Sequence, residues 1–151
     1  MIEHFTDTIF YQIELTAKYI KLLGNQVFEE LDAGVNVEEY VILDTLIVNQ
    51  ALCQRDIARL ILKDRANTGK LLDGLEKKGF ITRKLSIRNN RPIKLAQLTD
   101  AGKKKYQYAE SRIKVHYKTV KESIVNSELA QIGDSLKKLR EILNSTVKIH
   151  I

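Results

Sequence analysis

Between Phe5 and Leu31 apolar residues return every three or four positions: Phe5, Ile9, Ile13, Ala17, Ile20, Leu23, Val27 and Leu31. That is the period of one helix face, so residues 4–31 are predicted to form a long first helix. Tyr11, Leu15, Tyr19, Leu22 and Phe28 widen the stripe. A helix that is apolar over more than one face needs two surfaces to cover it, so one side would meet its own domain and the other a partner chain. Asp32-Ala33-Gly34 breaks the pattern. A second helix opens at Val37-Glu38-Glu39, carries Tyr40, Val41, Leu43, Leu46, Ile47 and Val48, and closes at Asn49-Gln50.

The rest of the chain is organised around residues 51–102. Gln54 to Leu62 reads as a short helix with Ile57, Ala58, Leu60 and Ile61 apolar. Lys63-Asp64-Arg65 is a polar break. Residues 66–78 read as another helix, with Leu71, Leu72 and Leu75 as its buried stripe. Gly79 stands where a left-handed C-terminal cap needs glycine. Phe80–Leu85 and Ile93–Leu98 are strand-like runs, and Arg88-Asn89-Asn90-Arg91-Pro92 between them reads as a polar hairpin tip. Helix, turn, helix, basic hairpin is the order of a winged helix-turn-helix.

Thr99 is placed to cap a further long helix, with Asp100 in its first turn opposing the macrodipole. That helix runs through Tyr106, Ala109, Ile113, Tyr117, Val120 and Ile124. Asn126-Ser127-Glu128 reads as a break and restart. Leu129, Ile132, Leu136, Leu139, Ile142 and Leu143 make the last amphipathic helix. The fold class is therefore mainly α with a small β-hairpin wing. Residues 1–151 are read as a single domain, with the winged helix-turn-helix at 37–99 and a helical dimerisation layer at 4–31 and 100–147.

Charge sharpens this reading. Between Arg55 and Lys105 there are fifteen Lys/Arg and five Asp/Glu, a local net of +10 in a chain whose total is +6. A basic segment on an acidic remainder is the footprint of a polyanion-binding module, although a solvated basic face without a partner would look the same by charge alone. One Cys excludes an intrachain disulfide, and 44% hydrophobic residues over 151 positions suffice for a core without metals. No basic-then-apolar leader opens the sequence, and no apolar run approaches the ~20 residues of a membrane span. A soluble cytoplasmic protein with no membrane partner is expected.

The chain resembles the MarR family of bacterial transcription regulators over nearly its whole length. The most specific parts are Leu75-Glu76-Lys77-Lys78-Gly79-Phe80-Ile81-Thr82-Arg83, Asn89-Asn90-Arg91, and Leu98-Thr99-Asp100-Ala101-Gly102. The resemblance implies a homodimeric DNA-binding regulator, most simply a repressor on a pseudo-palindromic operator, released by a small aromatic or phenolic effector. Two positions depart from the family pattern. Asn89 replaces the wing Asp, which in the family braces the Arg matching Arg83. Gly69 replaces a Ser or Thr near the start of the recognition helix, costing about 1 kcal/mol of helix propensity relative to Ala.

Arg65, Asn67, Thr68 and Lys70 start the second helix of the motif, whose N-terminal residues enter the major groove in helix-turn-helix proteins. Arg can pair with guanine, Asn with adenine, and Thr can meet a thymine methyl. Arg88 and Arg91 are placed for a narrow minor groove, and Lys77, Lys78, Arg83, Lys84 and Lys94 for phosphates. The effector crevice that the resemblance implies would draw on Tyr11, Tyr19, Tyr40, Ile47 and Tyr106, which ordinary core packing explains equally well. Cys53 reads first as a small cap or core residue, and alternatively as a redox-responsive thiol at a helix N-terminus beside Arg55. His4, His116 and His150 are far apart without ligands at metal spacing, so no metal site is expected. There is no phosphate loop, nucleophile-base arrangement or carboxylate pair, so neither a cofactor nor an enzyme activity is expected. A winged helix serving RNA or protein contact is the other class of function this pattern allows.

Overall fold

The computed structural model describes residues 4–146. A 3-10 turn at Phe5–Asp7 precedes α1 (Ile9–Glu30) and α2 (Val37–Asn49). Then come β1 (Ala51–Cys53), α3 (Gln54–Leu60), α4 (Arg65–Lys77), β2 (Ile81–Arg88), β3 (Arg91–Leu98), α5 (Asp100–Ser123) and α6 (Asn126–Thr146). The mainly helical fold with a β-hairpin wing is as expected. Residues 1–3 and 147–151 of the expected 1–151 domain, including Val147 at the end of the dimerisation layer, lie outside the described residues.

Local chemistry sets the boundaries. The helix expected over 4–31 is divided at Thr8, whose backbone is extended and whose hydroxyl accepts from the Tyr11 N–H. Asn36 opens α2 with a capping box: its side chain accepts from the Glu39 N–H, and the Glu39 carboxylate accepts from the Asn36 N–H. α4 ends in a Schellman motif. Gly79 has φ +74°, its N–H donates to Glu76 O, and Phe80 N–H donates to Leu75 O. Thr99 caps α5 by accepting from the Gly102 N–H, and its hydroxyl donates to Gly79 O at 2.7 Å, which ties the end of α4 to the start of α5. A Cβ on Gly102 would stand 2.0 Å from Phe80 O, so glycine is required where α5 meets the backbone entering β2.

Further boundaries differ from expectation. β1 pairs antiparallel with β3 in the order β1-β3-β2, with Cys53 opposite Leu95; so short a strand has no periodicity of its own and exists through its partner. The hairpin tip is two residues, not five. Arg88 pairs with Arg91, and Asn89 and Asn90 have φ +51° and +58°, the two left-handed residues of a type I′ turn. Pro92 lies in β3 beyond the end of β1, where its missing N–H costs no ladder bond. The α5–α6 break falls at Ile124-Val125, with Ile124 extended, and Asn126 already belongs to α6.

The core gathers Ile42, Leu43 and Leu46 of α2, Ile57 of α3, Leu72 and Leu75 of α4, Ile81 of β2 and Ala96 of β3, closed by Tyr106 and Ala109 of α5 and Phe28 of α1. Thus α1 buries only its last turns, at Gly24, Val27 and Phe28, and α6 buries no residue. Ile9, Phe10, Ile20 and Leu22 of α1, Val115 and Val120 of α5, and Ile132 and Ile142 of α6 are exposed in the single chain. No helix among the described residues is long and apolar enough to cross a membrane.

Candidate nucleic-acid interface

The interface expected from the sequence centres on α4. Asp64 caps it, accepting from the Asn67 N–H at 2.8 Å and from Asn67 Nδ2 at 2.6 Å. These two bonds, the backbone one first, hold the Asp64 carboxyl below its ordinary pKa. Arg65, Asn67, Lys70, Asp73 and Lys77 are exposed along the helix. Thr68 is not available to a base. It is 0% exposed, its hydroxyl donates to Asp64 O, and it shares the inner face with Leu72 and Leu75 at i, i+4, i+7. Gly69 faces α3, where a Cβ would meet Gln54 Nε2 at 2.9 Å; that amide donates to Arg65 O and ties the two helices of the motif together.

The cations expected to meet DNA, at phosphates or in a groove, divide into two groups. Three are held by carboxylates. Lys78 Nζ lies 2.8 and 2.7 Å from the two oxygens of Glu39, a carboxylate buried between α2 and α4. Arg83 donates from Nε to Glu76 at 2.9 Å and from Nη2 to Asp73 at 2.6 Å, joining β2 to α4. Arg88 donates to Asp56 of α3 at 2.6 Å, and its Nη2 is 3.8 Å from Cys53 Sγ. The hydrogen bond from Arg88 is the main reason that the Asp56 carboxyl sits below its ordinary pKa. Arg83 does the same for Glu76. Lys78, Arg83 and Arg88 are therefore scaffold residues in the free chain, not open phosphate or groove contacts. Arg65, Lys70, Lys77, Lys84, Arg91 and Lys94 are exposed and form no ion pair among the described residues.

The brace implied at the wing is also different. Asn89 lies six residues beyond Arg83 on the hairpin, about 20 Å along the strand, so it does not reach that guanidinium. Asp73 and Glu76 take that role. Acidic residues three apart on an otherwise basic helix were the available signal, and the resemblance to the family pattern pointed away from it. Asn89 instead supplies the left-handed backbone of the turn.

Residues 35–93, from the end of the α1–α2 loop through the start of β3, match the model of the MarR family. The chain is 31% identical over 98 residues to the uncharacterized HTH-type transcriptional regulator YybA of Bacillus subtilis (strain 168). That match covers 65% of this chain and 63% of YybA, so the chain spans under two thirds of that relative's length. Over the winged helix-turn-helix the chain is similar to the MarR family. Its fold is that of solved MarR-like regulators. MepR of S. aureus, in a complex with DNA, superposes with a TM-score of 0.73 at 25% identity over 90% of this chain and 98% of that one. CouR from Rhodococcus jostii RHA1, bound to p-coumaroyl-CoA, gives 0.77 at 22% identity over 91% and 95%.

The remaining candidates are dispersed. Tyr40 and Tyr106 stack with ring centroids 5.4 Å apart, and the Tyr106 hydroxyl donates to Asp44 at 2.8 Å. Burial raises the pKa of both phenols, helped at Tyr106 by that bond to Asp44. Tyr11 instead meets Phe5 near the N-terminus, Tyr19 is 67% exposed, and Ile47 lines a separate cavity with Gln97 and Lys103. The five do not converge on one cavity in the single chain. Cys53 is buried, precedes α3 without a side-chain capping bond, and borders a basic concavity of about 640 Å³ with Arg55, Arg88 and Arg91. No three His, Cys, Asp or Glu gather as metal ligands among the described residues, and His150 lies outside them.

Proposed function

We propose that the protein is a transcriptional regulator that binds duplex DNA as a homodimer in the cytoplasm, acting as a repressor on a pseudo-palindromic operator. The observation that carries this reading is the split among its cations. Six exposed Lys/Arg without carboxylate partners line α4 and the wing, while the ion pairs of Lys78, Arg83 and Arg88 fix α4 and the hairpin against α2 and α3. MepR in its complex with DNA supports the choice of nucleic acid. Asn67, Lys70 and Arg65 would meet base edges in the major groove, and Arg91 the minor groove beside it. Lys77, Lys84 and Lys94 would meet phosphates. The exposed apolar faces of α1, α5 and α6 favour a second copy as their cover. A two-fold pair would present its α4 helices about 34–36 Å apart, one turn of duplex.

Release by a small aromatic or phenolic molecule belongs to the same proposal, supported by CouR bound to p-coumaroyl-CoA. With the five candidate side chains dispersed in one chain, such a site would be completed by the second copy. Selection of duplexes from a random-sequence library tests the function. A palindromic consensus that RNA of the same sequence does not compete away is the expected result. Equal binding of the RNA, or no enrichment, overturns the reading.

A further inference from the structure

The wing carries an apolar face that neither the core nor the cation pattern uses. Leu85 and Ile87 are each 77% exposed on β2. Alternation along a strand puts Ile81, Arg83, Leu85 and Ile87 on one face. Ile81 is in the core and Arg83 grips Asp73 and Glu76 of α4, so Leu85 and Ile87 continue outward on the face turned toward α4. Register places Lys94 opposite Leu85 and exposed Pro92 opposite Ile87, which joins Pro92 to the patch. β1 pairs no further along β3 than Leu95, so this part of the hairpin is a two-stranded ribbon with β2 as a free edge. Exposed apolar residues on such an edge invite association, and proteins normally blunt them.

We propose that Leu85, Ile87 and Pro92 form a non-ionic contact surface for the deoxyribose wall of the duplex beside α4. Charge complementarity selects this occupant. Lys94 flanks the patch on its own face, Lys84 lies beside Leu85 on β2, and Arg91 stands at the turn, all exposed and without ion pairs among the described residues. The sugar-phosphate backbone offers matching chemistry, with apolar sugar carbons between anionic oxygens. The surface therefore adds affinity that salt does not screen, on top of the counterion release from the lysines.

This inference rests on the duplex-binding reading, and the test separates the two. Affinity for a duplex selected by the wild-type protein is measured against salt for Leu85→Thr/Ile87→Thr and for Leu85→Val/Ile87→Val, with thermal unfolding as a check of the fold. Threonine preserves strand propensity and removes the apolar surface. The threonine pair should bind roughly tenfold more weakly at every salt concentration with an unchanged slope, and the valine pair should bind nearly as the wild type does. Equal affinity of the threonine pair overturns the inference and leaves the function standing. So does a lowered slope, which would mean that the patch acts through the lysines. Wild-type assemblies larger than a dimer that the threonine pair dissolves would make the patch a contact between copies and overturn it as well. Failure of the wild type to select any duplex overturns both.

Discussion

Leu72 and Leu75 of α4 are fully buried, whereas Ile132, Ile142 and Leu143 of α6 are exposed, although both sets repeat at helical spacing. The winged helix closes on itself. Its helices are short, each is capped or pinned, and buried residues of α2, α3, α4 and the sheet meet in one cluster. The terminal helices are longer and equally amphipathic, yet α6 buries nothing and α1 buries only its end. Periodicity reports that a face must be covered, not what covers it. A stripe in a segment with enough neighbours becomes core, and the same stripe in the terminal helices stays exposed in the single chain.

Glycine-to-alanine substitutions give the largest contrast between the two regions. Gly102→Ala drives a Cβ into Phe80 O, a backbone atom that no rotamer change can move, and should cost about 3 kcal/mol or more. Gly133→Ala on α6 meets nothing within 4 Å and should raise stability by up to about 1 kcal/mol through helix propensity. Denaturant unfolding of both variants checks this. Two variants shifting in the same direction would erase the distinction.

Next in size is the dimer. Ile132→Asp with Ile142→Asp should raise the dimer dissociation constant at least about a hundredfold, since each chain loses two apolar contacts and gains two charges. Sedimentation should then show a monomer that keeps the far-ultraviolet dichroism of a folded winged helix. A wild type that is already a folded monomer at micromolar concentration would remove the reason for the second copy.

Within the winged helix, Lys78→Ala strips a buried carboxylate of its cation and should cost about 1–2 kcal/mol, because Lys78 itself is partly exposed. Smallest is Asp56. Its pKa is lowered by Arg88, so the contact stabilises the fold above the ordinary carboxylate value and is lost as pH falls through the lowered native one. Asp56→Asn should cost under about 1 kcal/mol near neutrality and flatten the acid limb of the stability profile below about pH 4. An acid limb parallel to that of the wild type would show that the pair contributes nothing.

Much of this was legible beforehand because it is local. The helical stripes, Gly79 after α4 and Thr99 before α5 each depend on residues within a turn of one another. The inward side of Thr68 was legible too, since Thr68, Leu72 and Leu75 fall on one face; reading the start of α4 as a recognition surface obscured it. The two-residue turn was marked by Asn89-Asn90, and counting Arg88, Arg91 and Pro92 into the tip hid three strand residues. The ion pairs were a different matter. Glu39 and Lys78 are distant in sequence and meet only when α2 crosses α4, so spacing alone could not tell a braced lysine from a free one. β1 was hidden for the same reason, because it pairs with β3, distant in sequence.

The division between braced and free cations is most directly tested by the salt dependence of duplex affinity. On a selected duplex, Lys77→Ala, Lys84→Ala and Lys94→Ala should each flatten the plot of log affinity against log salt by about one unit. Lys78→Ala should keep the wild-type slope whatever it does to stability. Unchanged slopes in all three variants, or a flattening by Lys78→Ala as large as theirs, would contradict the assignment of the free face of α4 and the wing to DNA.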